Sequence, residues 1–342
     1  MGPQQAEATL FHLDIALLRS FSTATGTISA RSVGLVSISR NGITGWGEVS
    51  PYPGQDEPFA DVLAAATAAT TTPTLVAGMD EAMCDLIARE RGVSLSSELG
   101  SADADVPVSI AIGMGTDAPA TVDRAWGRGV RRFKVKIMPG YTSHVIDIRR
   151  AYPEAIVGVD ANASFDASTM PEIVSLADLD IAFVEQPTAA VDDPALDLLR
   201  DAELTVFIDE SIRSAADAER ALAVPAVSGV VVKPGRLGWT ESVRVVHMAR
   251  ISGKLWRASG LLETGVGRSF TLALAAANDA FVSDVAPASL FLSYDVAPQP
   301  VVNGCLVVPT GPGTGIEVDR SLVRDRAVDV IRLSGSAIPG LD

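Results

Sequence analysis

Phe133-Lys134-Val135-Lys136-Ile137 is an apolar run with a charge near its end, and four later runs repeat the arrangement. Ile156-Val157-Gly158-Val159 closes on Asp160, Ile181-Ala182-Phe183-Val184 on Glu185, Val206-Phe207-Ile208 on Asp209, and Val230-Val231-Val232 on Lys233. From Lys136 to Lys233 these charges stand 24, 25, 24 and 24 residues apart. A strand, a helix and two short loops take about that many residues, since a (β/α)₈ barrel spreads roughly 250 residues over eight such units. The strands of such a barrel are parallel, so their C-terminal ends meet at one rim and residues distant in sequence converge. The period predicts an α/β fold of TIM-barrel type with three carboxylates and flanking lysines at that rim.

Working outward, strand-like runs cover residues 106–113, 132–137, 156–160, 181–185, 205–209, 229–233, 254–259 and 280–285, with helix-like segments between them, for example 215–223 and 241–250. Met138-Pro139-Gly140, Gln186-Pro187 and Lys233-Pro234-Gly235 supply turn residues at strand ends. Residues 1–105 lack this alternation. Strands are expected at 9–19 and 32–39, a hairpin turn at Asn41-Gly42 leads into 43–49, and helices are expected at 58–70 and 80–91. Strands followed by helices predict an α+β domain, and the tail is expected to pack back on it.

Composition narrows the function classes. The chain has 342 residues, 47% of them hydrophobic, enough for a large core plus a smaller partner domain. A net charge of −15 without an offsetting basic cluster speaks against nucleic acid. No apolar window is long enough for a membrane span, and residues 1–8 do not read as a secretory leader. Two cysteines, Cys84 and Cys305, make neither a disulfide framework nor a metal-ligand spacing. The expectation is a cytoplasmic protein with reduced thiols.

The rim residues carry the chemistry. Lys134 and Lys136 are two apart on a strand and point to the same face, the barrel interior. Each of two neighbouring ammonium groups disfavours the charged form of the other, which is expected to free an amine near neutral pH. Asp160, Glu185 and Asp209 offer only oxygen, which suits a hard ion such as Mg²⁺ (with Mn²⁺ as a substitute) and not zinc. The competing reading is that each acid caps the helix after its strand. Glu210 is expected to point away from Asp209. Lys233 either faces Lys136 across a small carboxylate substrate or forms a salt bridge to one of the acids. Asn162 and Glu263 lie in loops just past their strands, where they either bind substrate or are ordinary polar loop residues.

Lys-Val-Lys at 134–136, Asp-Ala-Asn at 160–162, Val-Glu-Gln-Pro at 184–187, Ile-Asp-Glu-Ser at 208–211, Val-Lys-Pro-Gly-Arg at 232–236 and Glu-Thr-Gly-Val-Gly at 263–267 together resemble the enolase superfamily, muconate-lactonizing subgroup. Within it the chain looks most like the o-succinylbenzoate synthase / N-succinylamino acid racemase branch. Trp46-Gly47-Glu48 and Pro309-Thr310-Gly311-Pro312-Gly313 extend the match over nearly the whole chain. The resemblance implies a modified (β/α)₇β barrel over residues 106–309 and an N-terminal α+β capping domain over 1–105, completed by about 310–342. It implies Mg²⁺ on Asp160, Glu185 and Asp209, with Lys136 and Lys233 on opposite faces of the substrate and Lys134 supporting Lys136. Asn162, Glu263, Thr264 and Arg236 would be substrate-binding residues, and Arg236 matches an arginine associated with racemase-capable members. Cap loops near 21–27 and 50–55 would close over the pocket. Ser283-Asp284-Val285-Ala286 lacks the Asp-x-Asp of dipeptide epimerases. The implied activity is dehydration to o-succinylbenzoate. N-succinylamino acid racemisation, muconate cycloisomerisation and a catalytically silent binding barrel stay open as alternatives, as does assembly into a homo-oligomer.

Overall fold

The structure, a computed structural model, describes residues 6–23, 26–101, 105–115 and 117–333. Most of the leader-free reading of residues 1–8, the tip of the first cap loop at 24–25 and the tail beyond 333 lie outside the described residues.

The chain opens with a long antiparallel hairpin, β1 (Glu7–Thr23) and β2 (Gly26–Arg40), followed by β3 (Ile43–Val49). Asn41 and Gly42 take φ values of 52° and 80°, the left-handed pair that a two-residue hairpin turn of this hand requires. Two helices follow, α1 (Phe59–Thr67) and α2 (Pro73–Arg91). α2 starts earlier than the expected residue 80 because Thr72 caps it and Pro73 fits its first turn. Gly45 and Gly47 make the α2-facing side of β3 bare. A Cβ on Gly47 would lie 2.1 Å from the Gly78 carbonyl oxygen, so only glycine lets helix and strand backbones approach this closely. Asp85 and Glu81 on α2 then accept the Trp46 and Glu48 backbone N–H groups, each at 3.0 Å.

From β4 (Val106–Pro107) and β5 (Ser109–Ile112) the chain alternates: α3 (Ala118–Trp126), β6 (Arg132–Lys136), α4 (Ser143–Ala151), β7 (Ile156–Asp160), α5 (Met170–Val174), β8 (Phe183–Glu185), α6 (Leu196–Asp201), β9 (Val206–Ile208), α7 (Ala215–Leu222), β10 (Gly229–Val232), α8 (Pro234–Ile251), β11 (Leu255–Ala258) and α9 (Gly265–Ala275). β5 to β11 form one parallel sheet in sequence order. The expected eighth strand, 280–285, is not a ladder strand. It closes the ring through single contacts: Phe281 and Asp284 donate to β11 at 2.9 and 2.8 Å, and Ser109 of β5 donates to Val285 at 2.9 Å. α8 is longer than the expected 241–250 and kinks at Gly238 (φ 77°), which lies against Asp80 of α2. The chain ends with β12 (Val301–Val302), β13 (Cys305–Leu306), α10 (Arg320–Arg326) and β14 (Ala327–Leu333), and β14 pairs with β1 to complete the four-stranded sheet β14-β1-β2-β3.

The period-two rule holds around the barrel. Phe133, Val135 and Ile137 are at most 1% exposed and pack in the core cluster with the helices, while Lys134 and Lys136 turn inward. Below the rim Phe183, Phe207 and Val231 fill the interior, with Phe183 and Phe207 edge to face at 6.0 Å. Gly158 makes room for them, since a Cβ there would lie 2.1 Å from the Phe183 ring. No helix among the described residues is long and apolar enough to cross a membrane.

Candidate active site

Each inward strand end delivers one charge to the rim. Oxygen atoms of Asp160, Glu185 and Asp209 lie within 4.8 Å of one another, and the three side chains are 0%, 0% and 2% exposed. Their backbones are held by the loops that follow. Gln186 (φ 39°) accepts from the Asp209 N–H at 2.8 Å and donates to Ser211 at 3.0 Å, tying the ends of β8 and β9 together. Asn162 (φ 45°) donates its own N–H to Asp160 at 3.0 Å. Both sit in sparsely populated backbone conformations that the surrounding bonds sustain.

The lysines meet these acids directly. Lys136 Nζ lies 2.6 Å from Asp160 and 2.9 Å from the Asn162 amide oxygen. Lys134 Nζ lies 2.7 Å from Glu185, 2.8 Å from Asp284 and 3.2 Å from Asp160. Lys233 Nζ lies 2.6 Å from Asp209, so the salt bridge expected as one alternative is present. Lys233 also lines the same pocket as Lys136, so the two alternatives do not exclude each other. In the ring of eight segments β6 and β10 are four places apart, so Lys136 and Lys233 approach from opposite walls.

The electrostatics differ from the expectation in one respect. Burial and Lys134 both work to lower the Lys136 pKa, but Asp160 and Glu210 together outweigh them and hold it above its usual value. Burial likewise opposes the Lys134 ammonium, and Asp284, Glu185 and Asp160 together raise its pKa well above normal. The mutual repulsion of the lysine pair is the weaker force because carboxylates surround it. Burial disfavours the ionised acids too. Lys136 and Lys134 overcome it at Asp160, whose pKa falls below the usual range, and Lys233 and Arg236 do so at Asp209, lowered to about 2. At Glu185 burial prevails and pushes the carboxyl up despite Lys134.

The acidic triad fits a hard divalent cation. All three side chains offer oxygen, and Asp209 Oδ1, fully buried, has no hydrogen-bond partner among the described residues. The pocket above it is lined by Lys134, Lys136, Lys233, Asn162 and Glu210. Its roof comes from the cap: Phe21 near the tip of the β1–β2 hairpin, and Tyr52 and Gln55 from the loop after β3. Arg31, itself buried, braces that loop by donating to the Pro51 and Ser50 carbonyls at 2.8 and 3.1 Å.

The other expected residues divide. Asn162 lines the pocket. Arg236 reaches the cap loop, bonding Asp56 at 3.1 Å and Gln55 at 2.9 Å. Glu263 and Thr264 are not among the residues that line the pocket. Glu263 accepts from Arg268 at 3.2 Å and Thr271 at 3.0 Å, while Thr264 caps α9 and donates to Glu48 of the cap at 2.6 Å. Glu210 does not point away as strand alternation predicted. β9 ends at Ile208, alternation stops there, and Glu210 turns into the pocket to accept from Asn162 at 2.5 Å. The sequence reading missed Asp284, Gln186, Arg31 and Tyr52. Asp284 was legible as an acid at the end of the eighth run, in the place the other rim charges occupy.

Residues 117–322 match the enolase C-terminal domain-like family. The chain belongs to the enolase superfamily. It is 31% identical to the o-succinylbenzoate synthase of Geobacillus stearothermophilus over 92% of this chain and 93% of that one. It is also 31% identical to the N-succinylamino acid racemase of Thermus thermophilus, over 91% and 94% of the two chains. Among solved structures, a dipeptide epimerase from Enterococcus faecalis, complexed with Mg and L-Leu-L-Tyr, superimposes with a TM-score of 0.82 at 23% identity. That match covers 93% of this chain and 100% of the epimerase and shows the shared fold. The fold is thus the capped barrel of this superfamily, and the chain falls in the branch that holds the synthases and racemases.

Proposed function

We propose that this enzyme is an o-succinylbenzoate synthase-like dehydratase that removes a proton next to a carboxylate. The observation that carries the reading is the placement of Lys136 and Lys233 on opposite walls of one pocket, either side of a buried oxygen-only triad. Asp160, Glu185 and Asp209 would hold Mg²⁺. Bound there, the ion would supply positive charge to the substrate carboxylate as its α-carbon loses a proton, and would compete with Lys136 for Asp160.

The chain's own residues do the rest. Lys136 Nζ, as the free amine, takes the α-proton, leaving the electron pair in conjugation with the carboxylate. Expulsion of the β-hydroxyl then breaks the C–O bond, and Lys136 returns its proton to that oxygen, so water leaves. Lys233 stays cationic on the opposite face. Asn162, bonded to both Lys136 and Glu210, fixes the direction of the amine. Phe21, Tyr52 and Gln55 cover the pocket against bulk water.

A second reading is N-succinylamino acid racemisation, in which Lys233 delivers a proton to the opposite face. It is favoured by a racemase relative at the same identity as the synthase and by Arg236 beside Asp209, 3.7 Å away. Parallel assays decide. The purified enzyme is given the cyclohexadiene precursor of o-succinylbenzoate and, separately, N-succinylamino acids in D₂O with Mg²⁺. Dehydration supports the first reading, and α-deuterium incorporation with inversion supports the second. Full turnover by Lys136→Ala, or activity that survives EDTA, would defeat both.

A further inference from the structure

One buried cation plays no part in that chemistry. Arg257 lies on β11 with its side chain inside the barrel and is 0% exposed. Its guanidinium carbon sits 3.9 Å from the centre of the Phe183 ring and 5.9 Å from that of Phe207. Nε donates to the Val282 carbonyl of the ring-closing segment at 2.8 Å, and Nη1 donates to Glu185 Oε2. Nη2 has no hydrogen-bond partner among the described residues. Taking a guanidinium out of water costs several kcal/mol even when it is paired, and a hydrophobic side chain would fill this layer at less cost. The compensation lies above it, in Glu185.

The two oxygens of Glu185 have divided duties. Oε1 lies 2.7 Å from Lys134 on the pocket side, while Oε2 is engaged by Arg257 in the barrel floor. We propose that Arg257 is a positioning residue of the cation site, holding Oε2 down so that Glu185 presents a single oxygen to the ion. The inference rests on reading the triad as a Mg²⁺ site. Three one-oxygen carboxylates leave half of an octahedron open for a substrate carboxylate and water, as Mg²⁺ prefers. Ca²⁺ takes six to eight oxygens and accepts both from one carboxylate. By denying the second oxygen, Arg257 selects the smaller ion. The planar fork suits the task, because one face stacks on Phe183 while two edges bond Val282 and Glu185. A lysine supplies only a point charge.

The test is titration calorimetry of the full-length protein with MgCl₂ and with CaCl₂. It compares wild type, Arg257→Met, Arg257→Lys and the site control Asp209→Asn, with circular dichroism to confirm folding. Arg257→Met is expected to weaken Mg²⁺ binding roughly 10- to 100-fold, the usual effect of losing a residue that orients a metal ligand. Its Mg²⁺/Ca²⁺ preference is expected to shift toward Ca²⁺ about tenfold, because Glu185 can then offer both oxygens. Arg257→Lys should fall between the two. A merely structural lesion would weaken both ions alike. Wild-type affinity and preference in Arg257→Met, or in Arg257→Lys should the methionine variant not fold, overturns the inference. Equal Mg²⁺ binding by wild type and Asp209→Asn overturns the metal reading itself.

Discussion

Glu48 sits on the cap, yet its carboxylate does its work in the barrel. It accepts from the Thr264 N–H at 3.0 Å, the Thr264 hydroxyl at 2.6 Å and the Gly267 N–H at 2.9 Å, all in the first turn of α9. It also accepts from the Ser50 hydroxyl at 2.6 Å. The residues just before that turn, Gly260, Leu261 and Leu262, are pocket wall. Leu262 holds φ 60°, a conformation costing about 1–3 kcal/mol that persists only where neighbours impose it. Glu48 therefore anchors a cap strand to the wall of the candidate active site.

Glu48→Ala would leave two buried backbone N–H groups without an acceptor, at about 1–3 kcal/mol each, while the two hydroxyls can rotate to other partners. Against this stands a gain. Burial pushes the Glu48 carboxyl up, so part of the folding free energy is spent keeping it ionised, and alanine removes that cost. The expected net loss is about 2–4 kcal/mol. Glu48→Gln keeps one acceptor oxygen and should lose about half as much. Urea unfolding followed by circular dichroism measures the loss. Substrate KM should rise more than kcat falls, because the wall moves while Lys136 and Lys233 stay on their strands. If Glu48→Ala unfolds within about 0.5 kcal/mol of wild type, the anchoring argument is wrong.

Three other outcomes can be checked independently. In a Cys305→Ser background, Cys84 should react with a thiol reagent at pH 8 far more slowly than it does after denaturation, since burial and then Asp80 push its thiol up to about 12. Burial opposes the ionised Asp56, but Arg236, the Tyr52 backbone N–H and Arg213 prevail and hold its carboxyl below the usual range. The sign follows: the advantage in Tm of wild type over Asp56→Asn is present above the unfolded value of about 3.9 and is lost only as pH falls below it. Constant advantage down to pH 2 would contradict the Asp56–arginine latch. Gly158→Ala puts a methyl 2.1 Å from the Phe183 ring and should destabilise the barrel by about 1–3 kcal/mol in thermal unfolding.

The barrel and its rim were legible because one regularity encodes both. A fixed interval places strands around a ring, and period-two alternation aims every second residue inward. Lys134, Lys136, Asp160, Glu185, Asp209 and Lys233 all lie where that rule sends them. The rule fails where its premise ends. Glu210 is two residues past the end of β9, so parity says nothing about it. Glu263 and Thr264 are close in sequence to the rim, but Glu48, 216 residues away from Thr264, draws Thr264 into the domain junction. The lysine pKa shifts were misjudged for a similar reason. Two ammonium groups two residues apart are visible in the sequence, whereas the three carboxylates that surround Lys134 come from three other segments.

The same alternation ties the chemistry to the packing beneath it. Phe183 stands two residues before Glu185, Phe207 before Asp209, Val231 before Lys233 and Gly158 before Asp160, so each rim charge rides on a floor residue of its own strand. A one-residue slip of any strand would exchange inward and outward faces, burying a charge among the helices and turning an outer Val or Ile into the site. The aromatic floor therefore fixes the register that brings three acids within 4.8 Å. Arg257 breaks the apolar pattern of that floor, and its bond to Glu185 joins floor and triad through a charge. Positioning at this site is consequently set from below as well as from the cap, and changes at floor residues should alter ion binding without any contact to substrate.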